Sequence, residues 1–203
     1  MVINRKIQLI AIVVVSTLTI YGHCKKGINC RNNQYSFNIG IIGYPNLDSI
    51  NINDTVWIEI NEPTTLLDNL SGNMIDFSGA ENLGSVIGFG EIISSTQIRD
   101  AANDFKYHLN YGTETTNLNP LRFREYLFAE ITGRYRFKLG IIPQKIGVYR
   151  FSVSDAANVY KKKFDCHYAG FHLDFKNTNQ HFYLFPGGAG TPPGGGSYYF
   201  KVK

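Results

Sequence analysis

Three cysteines and five histidines carry most of the chain's capacity for chemistry, and neither set falls into a spacing that a reaction demands. Cys24, Cys30 and Cys166 form no C-x-x-C pair, the arrangement used by zinc and dithiol redox sites. His108, His167, His172 and His181 lie in separate segments. Asp174 shares a strand face with His172, but the spacings match no ligand signature, so no metal is assigned and half-exposed strand positions are expected. The carboxylates Glu59, Glu62, Glu91, Asp100 and Asp155 are scattered among turns, and sequence separation says nothing about the distance between carboxyl groups that glycoside hydrolysis needs. No serine stands in G-x-S-x-G, which leaves an acyl-transfer triad without an anchor. The glycine-rich run 186–196 lacks an internal Lys and a following helix, so it reads as a loop between two strands rather than a phosphate cradle. No catalytic residue and no cofactor are assigned, and the reading leans away from an enzyme.

Rings are the remaining resource, with 14 Phe, 13 Tyr and one Trp. Outward-facing rings bind sugars, and Tyr44, Trp57, Tyr111, Tyr198 and Tyr199 are the candidates by their positions in loops or at strand ends. The ordinary alternative for each is a core or rim residue with its hydroxyl in water.

These residues need elements to hold them, and the composition points to sheets. Tyr, Phe, Ile and Val are abundant, 20 glycines separate the runs, and Met and Trp are scarce. Short alternating runs favour an all-β, antiparallel sandwich or barrel over an α/β core. Strands are expected over 35–42, 55–60, 83–93, 105–111, 127–131, 135–142, 147–153, 168–176, 181–185 and 198–202. Thr132-Gly133 and Pro143-Gln144 read as hairpin-like turns, 63–81 as a loop with a short turn of helix, and 98–102 as a helical turn. Asn53 is of a residue type that tolerates a positive φ.

The first 26 residues address the chain outward. Arg5 and Lys6 precede an apolar run from Ile7 to Ile20 that stops at Tyr21-Gly22-His23-Cys24-Lys25-Lys26, the layout of a signal peptide and short of a comfortable bilayer span. No A-x-A-like site follows, so cleavage before a lipidated Cys24 is favoured. An uncleaved anchor and plain secretion stand beside it. Lipid on Cys24 would explain the odd cysteine count and leave Cys30 and Cys166 to form a disulfide, the alternative being two buried thiols that never meet. Loss of Arg5 and Lys6 with the leader leaves 18 basic against 16 acidic residues, and so weak a balance argues against nucleic acid. Lys161-Lys162-Lys163 reads as a solvated turn.

The leader with its Cys24-Lys25-Lys26 resembles those of secreted lipoproteins of the Bacteroidota, with His23 and Tyr21 standing where that pattern has a small and an aliphatic residue. The segment from Asp48 to Trp57 resembles the "I-x-x-G-D-T-I-W" strand of uncharacterised sandwich-type members of that group, Asn53 taking the place of the glycine. The stretch from Phe137 to Val153 is similar to the penultimate hairpins of immunoglobulin-like and other Greek-key sandwiches, in which a "G-x-Y" tyrosine anchors a corner. The resemblance implies a signal peptide over 1–23, a tether over 24–33 and one Greek-key, immunoglobulin-like sandwich domain over 34–203. It further implies a membrane-anchored envelope protein of the periplasm or cell surface. Its partners would be the membrane, through the lipid, and a glycan or an envelope protein. The expected role is a non-catalytic binding or structural module, and a secreted glycan-active enzyme or a carbohydrate-binding module is the rival expectation.

Overall fold

Side chains alternate so regularly along the longest runs that the inner face can be read off each strand. In 134–143, Tyr135, Phe137, Leu139 and Ile141 are buried while Arg134, Arg136 and Lys138 point outward. The computed structural model describes residues 33–115, 119–161, 167–176, 178–189 and 194–203. They form an all-β fold whose only helical pieces among the described residues are 3-10 turns at Ala102–Asp104 and Phe182–Leu184. Among these residues no helix is long and apolar enough to cross a membrane.

One seven-stranded sheet contains β1 (Asn33–Tyr44), β3 (Val56–Pro63), β8 (Phe105–Tyr111), β11 (Ala129–Ile131), β12 (Arg134–Pro143), β14 (Ala156–Tyr160) and β15 (His167–Phe175). Its order is β11-β12-β3-β1-β15-β14, with β8 also beside β12. A second seven-stranded sheet contains β2 (Ser49–Ile50), β6 (Gly84–Ile92), β7 (Ile98–Asp100), β9 (Thr113–Glu114), β10 (Phe123–Leu127), β13 (Gly147–Val153) and β16 (Ser197–Val202). Its order is β2-β16-β13-β6-β10-β9, with β7 beside β6. A small hairpin, β4 (Thr65–Leu67) and β5 (Met74–Asp76), forms a separate two-stranded sheet whose Leu66 joins the core.

The inner faces of both sheets contribute to one hydrophobic cluster. Rings from one sheet meet rings from the other: Phe151 lies 5.9 Å from Phe175, Tyr126 5.4 Å from Phe137, and Phe105 4.9 Å from Tyr149. Burying each such ring is worth about 1.5–3 kcal/mol. Buried tyrosines also fasten loops. Tyr149 Oη donates to Lys145 O at 3.2 Å, four residues upstream. Gly84 is required by close approach, since a Cβ there would stand 2.1 Å from Tyr126 O across the β6–β10 pair.

Several expectations hold locally. Thr132 and Gly133 both take positive φ in the two-residue β11–β12 hairpin, and Asn53 has φ 69°. Others are corrected. Pro143-Gln144 makes no hairpin, because β12 and β13 belong to different sheets. The 127–131 run is two strands that part at Phe128, β10 entering the second sheet and β11 the first. Residues 181–185 form a 3-10 turn instead of a strand, and 63–81 holds the β4–β5 hairpin instead of a helical turn. In 98–102 the chain forms β7 before the first 3-10 turn begins. Pairing is not purely antiparallel, for β2 runs parallel to β16. The leader 1–23, the tether up to residue 32 and all three cysteines, Cys24, Cys30 and Cys166, lie outside the described residues.

Candidate functional site

The outward face of the first sheet gathers three of the five candidate rings. Tyr44 on β1 stands directly opposite Trp57 on β3, Trp57 opposite Gly140 on β12, and Gly140 opposite His108 on β8. In the next row Tyr111 on β8 faces Lys138 on β12, and Lys138 faces Glu59 on β3. Four strands at about 4.8 Å spacing make this strip roughly 14 Å wide. All three rings are half-buried.

Gly140 is what lets the indole lie down. A Cβ there would meet Trp57 Cζ3 at 3.0 Å and Cη2 at 3.1 Å, so only glycine leaves room for the ring across the strand. His108 closes the far side edge-on, its ring centroid 5.9 Å from that of Trp57. Lys138 Nζ lies 5.1 Å from the Trp57 centroid and 5.4 Å from that of Tyr44, within cation–π range of both. Arg136 stacks on Tyr111 at 3.9 Å.

Polar groups at the strip are fixed by their neighbours. Tyr44 Oη donates to Glu59 Oε2 at 2.7 Å, and Lys138 Nζ approaches the same oxygen at 3.4 Å. Partial burial and the Glu59 carboxylate push the Tyr44 hydroxyl above its ordinary pKa, so it remains a donor. The Tyr44 hydroxyl and Glu59 raise that of the Lys138 ammonium, which stays charged. Beside them a groove of about 330 Å³ is lined by Gly40, Ile42, Tyr44, Glu59, Asn61, Glu62 and Lys176, with Glu62 Oε1 accepting from Gly40 N at 3.1 Å. The arrangement can stack planar apolar faces and offer hydrogen bonds at their edges.

Tyr198 and Tyr199 lie elsewhere and inside, at 0% and 3% exposure. Tyr198 packs between Phe151 and Phe175, and its hydroxyl donates to Pro45 O and Leu47 O at 3.3 and 3.4 Å. Tyr199 is roofed by Phe182 and Phe185 from the second 3-10 turn. The histidines stay apart in their roles. His172 Nδ1 pairs with Asp155 Oδ2 at 2.9 Å, His167 stacks on Tyr35, and His181 is buried against Tyr198. Among the described residues no group of three His, Cys, Asp or Glu side chains is placed to hold a metal ion.

Sequence reading missed Lys138, Arg136 and Gly140 as parts of this face. Their signal lies in the stretch Arg134-Tyr-Arg-Phe-Lys-Leu-Gly140, where cations occupy alternate outward positions and glycine takes the next one. It also missed Asp104, whose buried carboxylate receives Lys145 Nζ at 2.5 Å and the Arg99 guanidinium. Burial works against its ionisation, but those two donors outweigh it and hold its pKa below the usual carboxylate value. That cluster pins the first 3-10 turn and the β12–β13 crossing, as Gln144 N donates to Asp104 O at 2.8 Å.

No protein-family model, no curated protein and no solved structure matches this chain.

Proposed function

We propose that this is an exported, membrane-anchored envelope protein whose two sheets form a Greek-key sandwich and whose outward aromatic strip binds an extended glycan. The observation that carries this reading is the convergence of Tyr44, Trp57 and Tyr111 from three strands onto one solvent-facing strip, with Lys138 and Glu59 between them. Sugars present apolar C–H faces to rings and hydroxyls to charged and amide groups, and the strip supplies both. Its width suits linked sugars better than a single one. Arg134 and Arg136 have no carboxylate partner among the described residues: Arg134 donates to Asn61, and Arg136 lies on Tyr111. Carboxylate-bearing sugars are therefore favoured. The facing rings of the two sheets support the sandwich.

The chain's one Trp sits in the strip, so its native fluorescence reports occupancy. Titration with neutral and acidic polysaccharides should shift Trp57 emission and retard the protein in affinity gels, and Trp57→Ala should abolish retardation. An unchanged emission across the panel sinks the proposal. One observation favours the rival, a glycan-cleaving enzyme: Glu59 and Glu62 line the same groove. Release of reducing ends that is lost in Glu62→Gln would establish it.

A further inference from the structure

Leu67, Leu70 and Met74 are 55, 65 and 62% exposed, and all three crowd the tip of the β4–β5 hairpin, where Leu67 and Met74 stand directly opposite each other. Isolated exposed apolar residues are ordinary, whereas three on one hairpin tip mark a surface that meets something apolar. The tip is held rather than frayed. The Asp68 carboxylate accepts from Ser36 N, Leu70 N, Ser71 N and Ser71 Oγ at 2.9, 3.3, 3.0 and 2.6 Å, and Asp68 N donates to Asn73 O at 2.9 Å. Asn69 N donates to Ser36 O at 2.7 Å, and the Asn38 amide to Asn69 Oδ1 at 3.1 Å. These bonds tie the hairpin tip to the first residues of β1, where the chain arrives from its amino-terminal segment.

We propose that the Leu67–Leu70–Met74 tip rests in the interfacial layer of the lipid bilayer to which the chain's own amino terminus is attached. The inference rests on the anchored reading of the leader, and three features lead from that reading to the tip. Ten residues from Cys24 to Asn33 span at most about 35 Å, which keeps the start of β1, and the tip bonded to it, close to the membrane. Lys161 Nζ donates to Asp76 O at 2.8 Å at the base of the same hairpin, two residues along β5 from Met74, where a cation would meet the headgroups of a bilayer that holds the tip. The Tyr44–Trp57 strip lies at the other end of β1, eight residues and about 26 Å from Ser36, so a docked tip turns the rings away from the bilayer.

The test uses full-length chain carrying Trp57→Phe, which removes the only native indole, with Leu70→Trp as probe and Ile146→Trp as comparator. Ile146 is 66% exposed on the β12–β13 crossing, at the strip end of the molecule. Each protein is reconstituted with phosphatidylcholine–phosphatidylglycerol vesicles bearing brominated acyl chains and recovered by flotation. The expected result is a blue shift and loss of emission for the Leu70→Trp indole, and neither for the Ile146→Trp indole. Flotation with an unquenched Leu70→Trp indole overturns the docking while the anchor stands, a tip covered by a second copy included. Failure of either chain to float overturns the anchor and the docking together.

Discussion

Tyr44 and Tyr198 bracket the same turn from opposite sides, and their fates differ. Tyr198 Oη reaches Pro45 O and Leu47 O from within the core, while Tyr44, one residue before that proline, lays its ring on the outer strip and donates to Glu59. One tyrosine fastens a loop to the fold and the other faces solvent beside a lysine. The difference shows that ring count and loop position identify neither role. What separates them is whether a second layer covers the strand, as Phe151 and Phe175 cover Tyr198 and nothing in the described structure covers the strip.

The sharpest way to break this comparison is to truncate both sides. Tyr198→Ala should destabilise the protein by about 3–5 kcal/mol, measured by denaturant unfolding. Trp57→Ala should cost about 1 kcal/mol or less while abolishing polysaccharide retardation. Equal losses of stability would mean the strip is core. Nearly as large an effect is expected from the double variant Arg99→Met/Lys145→Met, which strands the Asp104 carboxylate and should cost about 3 kcal/mol or more at pH 7.

Acid gives the same contrast by titration. Asp104 and Asp68 both have folded pKa values held below the ordinary 3.8. The stability they contribute is complete above that value and lost as pH falls through the folded ones. His181 acts in the range above. Burial lowers its folded pKa from 6.5, its Nε2 has no partner among the described residues, and the unfolded chain takes the proton more readily. Stability should therefore be full above pH 6.5 and decline as pH drops below it. His181→Asn, which tolerates the positive φ of 51°, should flatten that decline in thermal melts at pH 5 to 7.

The smallest expected effect sharpens the strip itself. Gly140→Ala crowds the indole at 3.0–3.1 Å, and should change stability by under about 1 kcal/mol while shifting Trp57 emission and weakening glycan binding.

Much of the fold is legible from local pattern. The alternation of Phe105 to Leu109 and the Thr132-Gly133 turn stand where residue types place them, and a register shift opposite Lys138 then turns Tyr111 to the outer face. The errors share a cause. Phe182 to Leu184 alternates in sequence, yet it caps Tyr199 as a 3-10 turn because β16 needs cover on its outer side. Pro143-Gln144 has hairpin chemistry, but its flanking strands find partners in different sheets. Of the candidate rings, three meet on one strip and two go inside, and no local signal distinguishes them.

By itself the sequence determined the long alternating strands and which of their side chains face inward, as along Arg134–Pro143 and Gly147–Val153, because the two-residue pleat is a property of the local backbone. Only the tertiary structure decided which strands lie side by side. Glu59, Tyr111 and Lys138 become neighbours through long-range pairings of β3, β8 and β12. Rings packed across two sheets select those pairings, and that packing free energy exists only once both layers are assembled.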